Sequence, residues 1–387
     1  MAATEKGVWT LQEVRDKALQ NEWGPYDDGG DPFKLFAWGR NLKSCLGLNE
    51  NGINSIVARS SPTQVPGTTW NKFSAGSYTN LAVKTDNTLW AWGTSGTYGN
   101  LGMNNKTEYS SPVQVGTDTT WSRPYSQNDM GGCIKTDGTM WMWGFGEEGA
   151  LAQNDRTSYS SPRQIPGTTW STEKGRFAGS PGNTTFAIKT DGTLWGWGYS
   201  RVSGQLGQNE RKNYSSPVQV GTNTNWSWVT GAWQGCIAVN TDGEMFSWGQ
   251  DLSGELGLNA AGVYRSSPTQ IGGTTWKQVS GQSTITIALK TDGTLWSWGN
   301  NGSGGLGHND TSQQSSPKQV GTDTSWTAIH GGRTCALKGD GTLWAWGYNQ
   351  YGQVGQNNRT NYSSPIQIPG EWAKTATVNH SLGAKPA

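Results

Sequence analysis

An aromatic residue, any residue, then Trp-Gly: this signature returns seven times along the 387 residues. It reads "FAWG" from 36, "WAWG" from 90, "WMWG" from 141, "WGWG" from 195, "FSWG" from 246, "WSWG" from 296 and "WAWG" from 344. A second signature, "SSPxQ", places its proline at Pro62, Pro112, Pro162, Pro217, Pro268, Pro317 and Pro365. A third is the tryptophan that follows each proline: Trp70, Trp121, Trp170, Trp226, Trp276, Trp326 and Trp372. Of the 23 tryptophans only Trp9, Trp23, Trp228 and Trp233 stand outside these signatures. The spacing is about 51 residues, so every copy must solve the same local folding problem and stack on its neighbours.

Within one copy, "TITIALKTDGTLWSWG" (284–299) reads as two strands. Ile285, Ile287 and Leu289 alternate along the first, and Leu295 alternates against Trp296 and Trp298 along the second. Asp-Gly between them tolerates the positive φ of a tight turn. The pair recurs at Asp137, Asp191, Asp242 and Asp340, with Asp86-Asn87 as a substitute. The "GxLGxN" segment and the "SSPxQV" segment supply loops and further short strands, and proline suits a strand start or edge. Four strands in each of seven copies predict an all-β chain, a seven-bladed β-propeller over 34–387.

The last copy stops at "WAKTATVNHSLGAKPA" without its Trp-Gly hairpin, and the first begins at "KLFAWG" without a preceding strand. The two ends are therefore expected to complete one blade, residues 380 to 384 pairing with 34 to 39. Such closure removes exposed strand edges.

Charge and cysteine usage exclude several classes. Net charge is +1, from 29 basic and 28 acidic residues, which argues against a strong grip on nucleic acid. No apolar run approaches the roughly 18 residues of a membrane span, and the first residues lack the layout of a secretion signal. Synthesis in a cytoplasm and no membrane insertion are the expectation. Cys45, Cys133, Cys236 and Cys335 fall one to a copy with no CxxC pair, as small buried thiols would.

These repeats resemble the regulator of chromosome condensation repeat family over about residues 34 to 387. The likeness is carried by runs such as "GGRTCALKGDGTLWAWGYNQYGQVGQN" (331–357). The resemblance implies the propeller. It also implies a range of roles: the founding member is a nucleotide-exchange factor for a small GTPase that also binds chromatin, and other members are interaction scaffolds. This chain departs from the founding member in its near-neutral charge and in lacking a long insertion that could act as a wedge.

Catalytic groupings are not legible. His308 fills a loop slot taken by Met103, Gln153, Gln208, Leu258 or Gln356 in sister copies, His380 fits a strand position, and His330 precedes two glycines. No His-x-x-x-His, nucleophile elbow or phosphate-binding lysine loop occurs. The Asp-Gly aspartates are isolated, whereas calcium needs six or more converging oxygens. No catalytic residue, cofactor or metal site is expected. Tyr109, Tyr159, Tyr214 and Tyr362 recur in register before the "SSP" segments, with Tyr264 one residue out of step. They form either a binding rim or, packed on the following proline, a device that fixes the loop.

Residues 1–33 stand apart. Thr10 and Glu13 form a capping box, Trp9 and Val14 a hydrophobic staple, and Gly24-Pro25 a stop. The expected helix carries Leu11, Val14 and Ala18 on one stripe, and "GPYDDGGDP" follows as a linker. "GVWTLQE" before a short helix, with Trp23 near Pro25, is similar to N-terminal tags on structural proteins of marine and cyanobacterial phage virions. The expectation drawn from both parts is a non-enzymatic structural or interaction protein. It would be a tailed-phage virion component, on the tail, fibre or capsid surface, displaying its propeller for assembly or host attachment. Trp9, Leu11, Val14, Ala18 and Trp23 would anchor it to other virion proteins, and a host surface glycan or protein would be the outer partner. The alternative is a cytoplasmic scaffold or a small-GTPase exchange factor.

Overall fold

In a computed structural model, which describes residues 32–50, 58–127, 129–180, 182–329, 334–377 and 380–386, the repeat becomes a four-stranded antiparallel sheet. In the sixth copy its strands are Trp276–Gln282, Ile285–Lys290, Leu295–Gly299 and Gln314–Gln319, paired in that order. Ile287 faces Ser297 and Leu289 faces Leu295 in register. The Asp-Gly turn has a fixed chemistry. Asp292 Oδ1 accepts both the backbone N–H and the hydroxyl of Thr294, at 2.9 and 2.7 Å. Thr294 Oγ1 then accepts the indole N–H of Trp296 at 2.8 Å, and Gly293 takes φ +79°. The same relay runs from Asp86, Asp137, Asp191 and Asp340. Asn87 supplies the positive φ at the first of these.

The inner strands of each sheet are buried on both faces, because neighbouring sheets stack on them. Leu295 and Trp298 lie on opposite faces, and both are fully buried. Trp298 Nε1 donates across the stack to the Glu255 carbonyl of the preceding copy at 2.9 Å. The second tryptophan of every signature repeats this bond: Trp92 to Cys45, Trp143 to Asn100, Trp197 to Ala150, Trp248 to Gln205 and Trp346 to Gly305. Trp38 to Gln353 closes the belt. An outer belt runs from left-handed asparagines, each donating its N–H to a serine carbonyl of the next "SSP" strand, from Asn49 to Ser110 round to Asn357 to Ser60.

The chain ends meet as strands. Phe33–Arg40 pairs antiparallel with His380–Pro386, from Phe33↔Pro386 to Gly39↔His380, and with Ala58–Gln64 on its other side. The blade count, however, differs from the expected seven separate blades. Five separate four-stranded blades form, together with one eight-stranded sheet. The cause is Phe33, whose backbone pairs with Trp70 and whose ring packs edge-on against Phe73 at 5.6 Å. That pairing carries the closing sheet on into Trp70–Ala75, Thr79–Lys84, Leu89–Gly93 and Tyr109–Gln114. The fold is thus an all-β propeller of five discrete blades and one double-width sheet.

Helix among the described residues is limited to two three-residue 3-10 turns, Leu42–Ser44 and Glu147–Gly149, so no helical extension appears there. The expected N-terminal helix, with Trp9, Leu11, Val14, Ala18 and Trp23, lies outside the described residues. Among the described residues no helix is long and apolar enough to cross a membrane.

Candidate functional site

Seven copies of one structure act as an internal control: what every copy keeps serves the fold, and what one copy changes is free for another task. The fifth copy changes several of these positions. Its strands are Trp226–Ala232, Gly235–Asn240, Met245–Asp251 and Val263–Ile271. Where sister copies place lysine and threonine around the Asp-Gly turn, it places Asn240 and Glu244, whose side chains bond each other at 2.8 Å.

The fifth copy's first hairpin turns at Trp233-Gln234, where sister tips carry Ser77-Tyr78 and Ser283-Thr284. Trp233 is 44% exposed, although Trp38, Trp92, Trp143, Trp197, Trp248, Trp298 and Trp346 of the signature are nearly all shut from solvent. Leu252 (51%), Val202 (45%) and Tyr264 (40%) are the other exposed large apolar side chains among the described residues. All four fall between positions 202 and 264, and hydrogen bonds tie their segments together at one end of the sheet. The Gln234 carbonyl accepts Gln250 N at 2.8 Å and Ser203 Oγ at 3.1 Å. Gln250 pairs with Tyr264 in register, and its Nε2 reaches the Tyr264 oxygen at 3.3 Å. Arg211, from the preceding copy, lies over the Tyr264 ring at 5.6 Å.

Beneath this patch the loop after Asp251 is pinned by two buried carboxylates. Glu255 accepts the N–H groups of Leu252 and Ser253 at 3.0 and 2.6 Å, and Asp251 accepts that of Leu256 at 3.3 Å. Burial, reinforced by the neighbouring Glu255, pushes the Asp251 carboxyl up to about 6. The loop is held from below while Leu252 is presented outward.

The recurring tyrosines behave differently. Tyr109, Tyr159, Tyr214 and Tyr362 are half-buried and pack against the inter-sheet cores. Each phenol bonds the side chain four residues earlier: Asn105, Asp155, Glu210 and Asn358. These four sit on four separate loops, each used by its own loop. Tyr264, the one out of step, is the exposed one. Of the tryptophans outside the signatures, Trp228 donates to the Val279 carbonyl at 2.7 Å and braces the fifth copy against the sixth, whereas Trp233 points outward.

The four thiols are buried, and burial pushes the Cys45 thiol up to about 12 and raises Cys133 and Cys236 as well. His308 Nε2 stands 3.0 Å from Ser297 Oγ, and burial lowers its basicity. His380 is buried in the closing strand, and His330 lies outside the described residues. Among the described residues no three His, Cys, Asp or Glu side chains gather as metal ligands. What the patch offers is apolar area, a fixed loop and an arginine.

Comparison with known proteins agrees with the repeat architecture. Residues 137–172, 292–337 and 340–378 match the family model described as the regulator of chromosome condensation (RCC1) repeat, and 277–304 match a second model so described. The chain therefore carries RCC1 repeats. Over 220 residues it is 27% identical to the ultraviolet-B receptor UVR8 of Arabidopsis thaliana, a match that takes in 55% of this chain and 48% of that one. The chain thus spans about half the length of that curated relative. Among solved structures it is similar to a chain in the crystal structure of Kap60 bound to yeast RCC1 (Prp20), with TM-score 0.79 and 16% identity over 94% of this chain and 91% of that one. It is equally similar to Prp20p from Saccharomyces cerevisiae, described with its binding properties to Gsp1p and histones, with TM-score 0.79, 16% identity and coverage of 96% and 94%. Human WBSCR16 follows with TM-score 0.77, 18% identity and coverage of 92% and 99%. At these identities the likeness is one of fold.

Proposed function

We propose that this protein is a non-enzymatic interaction platform that grips a protein partner through the exposed patch of its fifth repeat. The observation that carries the reading is the gathering of Val202, Trp233, Leu252 and Tyr264, the large exposed apolar side chains, in one copy and its border. Such patches mark contact surfaces, and Trp, Tyr and Arg dominate the energetics of protein interfaces. Among the described residues the other tryptophans pack within the fold, so an exposed one at a hairpin tip serves something outside it. Structural neighbours lend support: one is solved with Kap60, and another is described with binding to Gsp1p and histones. The narrower placement in a virion rests on residues 7–25, while the patch belongs to the propeller.

The test replaces Trp233 and Leu252 together by serine, a change confined to exposed side chains. Affinity capture from the source cells, compared with the unaltered chain, should lose its specific partner, while Tyr109→Phe keeps it. Full retention of every partner by the double variant would sink the reading. Accelerated nucleotide release from a captured GTPase, lost in the double variant, would narrow the platform to an exchange factor.

A further inference from the structure

Five lysines at the Asp-Gly end sit in one repeated setting, each ammonium over two tryptophan rings. Lys84 lies over Trp70 and Trp90, Lys135 over Trp121 and Trp141, and Lys189 over Trp170 and Trp195. Lys290 lies over Trp276 and Trp296 at 4.7 and 4.1 Å, and Lys338 over Trp326 and Trp344. In two copies the setting is completed by a carboxylate from the chain itself. Lys135 Nζ pairs with Asp118 at 2.6 Å and Lys338 Nζ with Asp323 at 2.5 Å. The bond to Lys338 leads the groups that hold the Asp323 carboxyl down to about 2. Each aspartate stands three residues before the tryptophan that opens its inner strand, in the loops "GTDTTW" and "GTDTSW".

The loop before Trp276 is "GGTTW", one residue shorter, with Gly273 at the corresponding offset. Among the described residues no carboxylate pairs with Lys290. Lys84 and Lys189 have similar short loops, but only over Lys290 do two further changes coincide. Leu258 replaces the glutamine that, in the groove over Lys189, spans the gap: Gln153 Nε2 bonds the Gln164 carbonyl at 3.1 Å. Gly272 replaces Pro66 and Pro166, and a Cβ built on it would meet nothing within 4 Å. The result is a groove of about 480 Å3 lined by Leu258, Asn259, Ile271, Trp276, Lys290 and Trp296 among others.

We infer that this groove, between the fifth and sixth copies, binds an acidic side chain carried on a segment of a partner protein. The chain's own Asp118 and Asp323 show the ligand this setting takes: a peptide-borne carboxylate on a lysine braced by two indoles. Leu258 and Ile271 form the apolar wall beside the lysine. A carboxylate gains a charge-assisted hydrogen bond there, strengthened by the low-dielectric ring faces beside it. This goes beyond the patch at Trp233 and stands on separate residues.

The probe is acetyl-Gly-Thr-Asp-Thr-Thr-amide, a copy of residues 116–120, titrated into the full chain while the indole N–H resonances of Trp276 and Trp296 are followed. Saturable shifts are expected, and replacing the peptide's Asp by Asn should weaken binding about tenfold. Lys290→Met should weaken it equally, and Leu258→Gln should close the groove. Grafting Gly-Thr-Asp-Thr in place of residues 272–274 should occupy it from within and abolish binding without removing the lysine. Equal binding of the Asn peptide, unchanged binding by the grafted chain, or equally tight binding of inorganic phosphate would each overturn the proposal. Trp233→Ser should leave the titration unchanged, so a failure here leaves the patch reading standing.

Discussion

His380 Nε2 stands 2.7 Å from Asn80 Oδ1, across 300 positions of sequence, inside the sheet that joins the two ends of the chain. Asn80 spends its Nδ2 on the Cys45 carbonyl at 2.6 Å. Its oxygen therefore faces the ring, and the imidazole donates from Nε2 as the neutral tautomer. The ring is wholly buried, and burial drops its pKa from 6.5 to about 4. Between those values the unfolded chain takes up a proton that the folded chain refuses. Stability from this group is therefore complete above pH 6.5 and declines as pH falls toward 4, by up to about 3 kcal/mol. Urea unfolding at a series of pH values should show this slope, and His380→Gln should flatten it. A variant with the same slope would place the acid sensitivity elsewhere.

Asp251 acts with the opposite sign. Its carboxyl is raised from 3.8 to about 6, first by burial, so the folded chain holds a proton in that window which the unfolded chain has released. Its contribution is complete below pH 3.8 and is lost as pH rises through 6. Sister loops carry Asn41, Asn301 and Asn349 in this slot, each accepting the same backbone N–H that Asp251 accepts. Asp251→Asn should therefore stabilise the protein at pH 7 by about 1 kcal/mol, and the gain should shrink as the pH falls below 6. A constant gain at all pH values would refute the titration.

The repeated parts of this protein were legible in its sequence because seven copies report the same residue at the same place. The strands around "TDG", the positive φ at Asn87 and the pairing of 34–39 with 380–384 follow from that pattern. The joining of two copies into one sheet was not legible, since it rests on the Phe33 backbone meeting Trp70 in space rather than on any signature. The candidate site was legible only in outline. Trp233 stood outside the signatures and Tyr264 stood out of step, but neither break by itself pointed to the fifth copy as a site. Only exposure separates Trp233 from Trp228, which an equal break in the pattern leaves half-buried against the core. The tyrosines in register carry the opposite lesson: their regularity reflects bonds within their own loops.

Ala152 stands where Gly47, Gly102, Gly207, Gly257, Gly307 and Gly355 stand in the other copies, and it takes φ +56° like them. The left-handed conformation crowds a Cβ against the following carbonyl, at roughly 1–2 kcal/mol. The slot is crowded for a second reason. A Cβ on Gly102 would come within 2.9 Å of the Trp143 indole, and one on Gly257 within 2.7 Å of Trp298. Ala152→Gly relieves both strains and loses only the entropy that glycine adds to the unfolded chain, about 0.5–1 kcal/mol. The net expectation is a gain of about 1 kcal/mol in urea unfolding. Gly257→Ala should run the other way and cost about 2 kcal/mol or more, because it adds the same strain and presses on Trp298. If Ala152→Gly destabilised the protein, the third copy must hold its methyl in a favourable contact, and the equivalence of the seven slots would fail at that position.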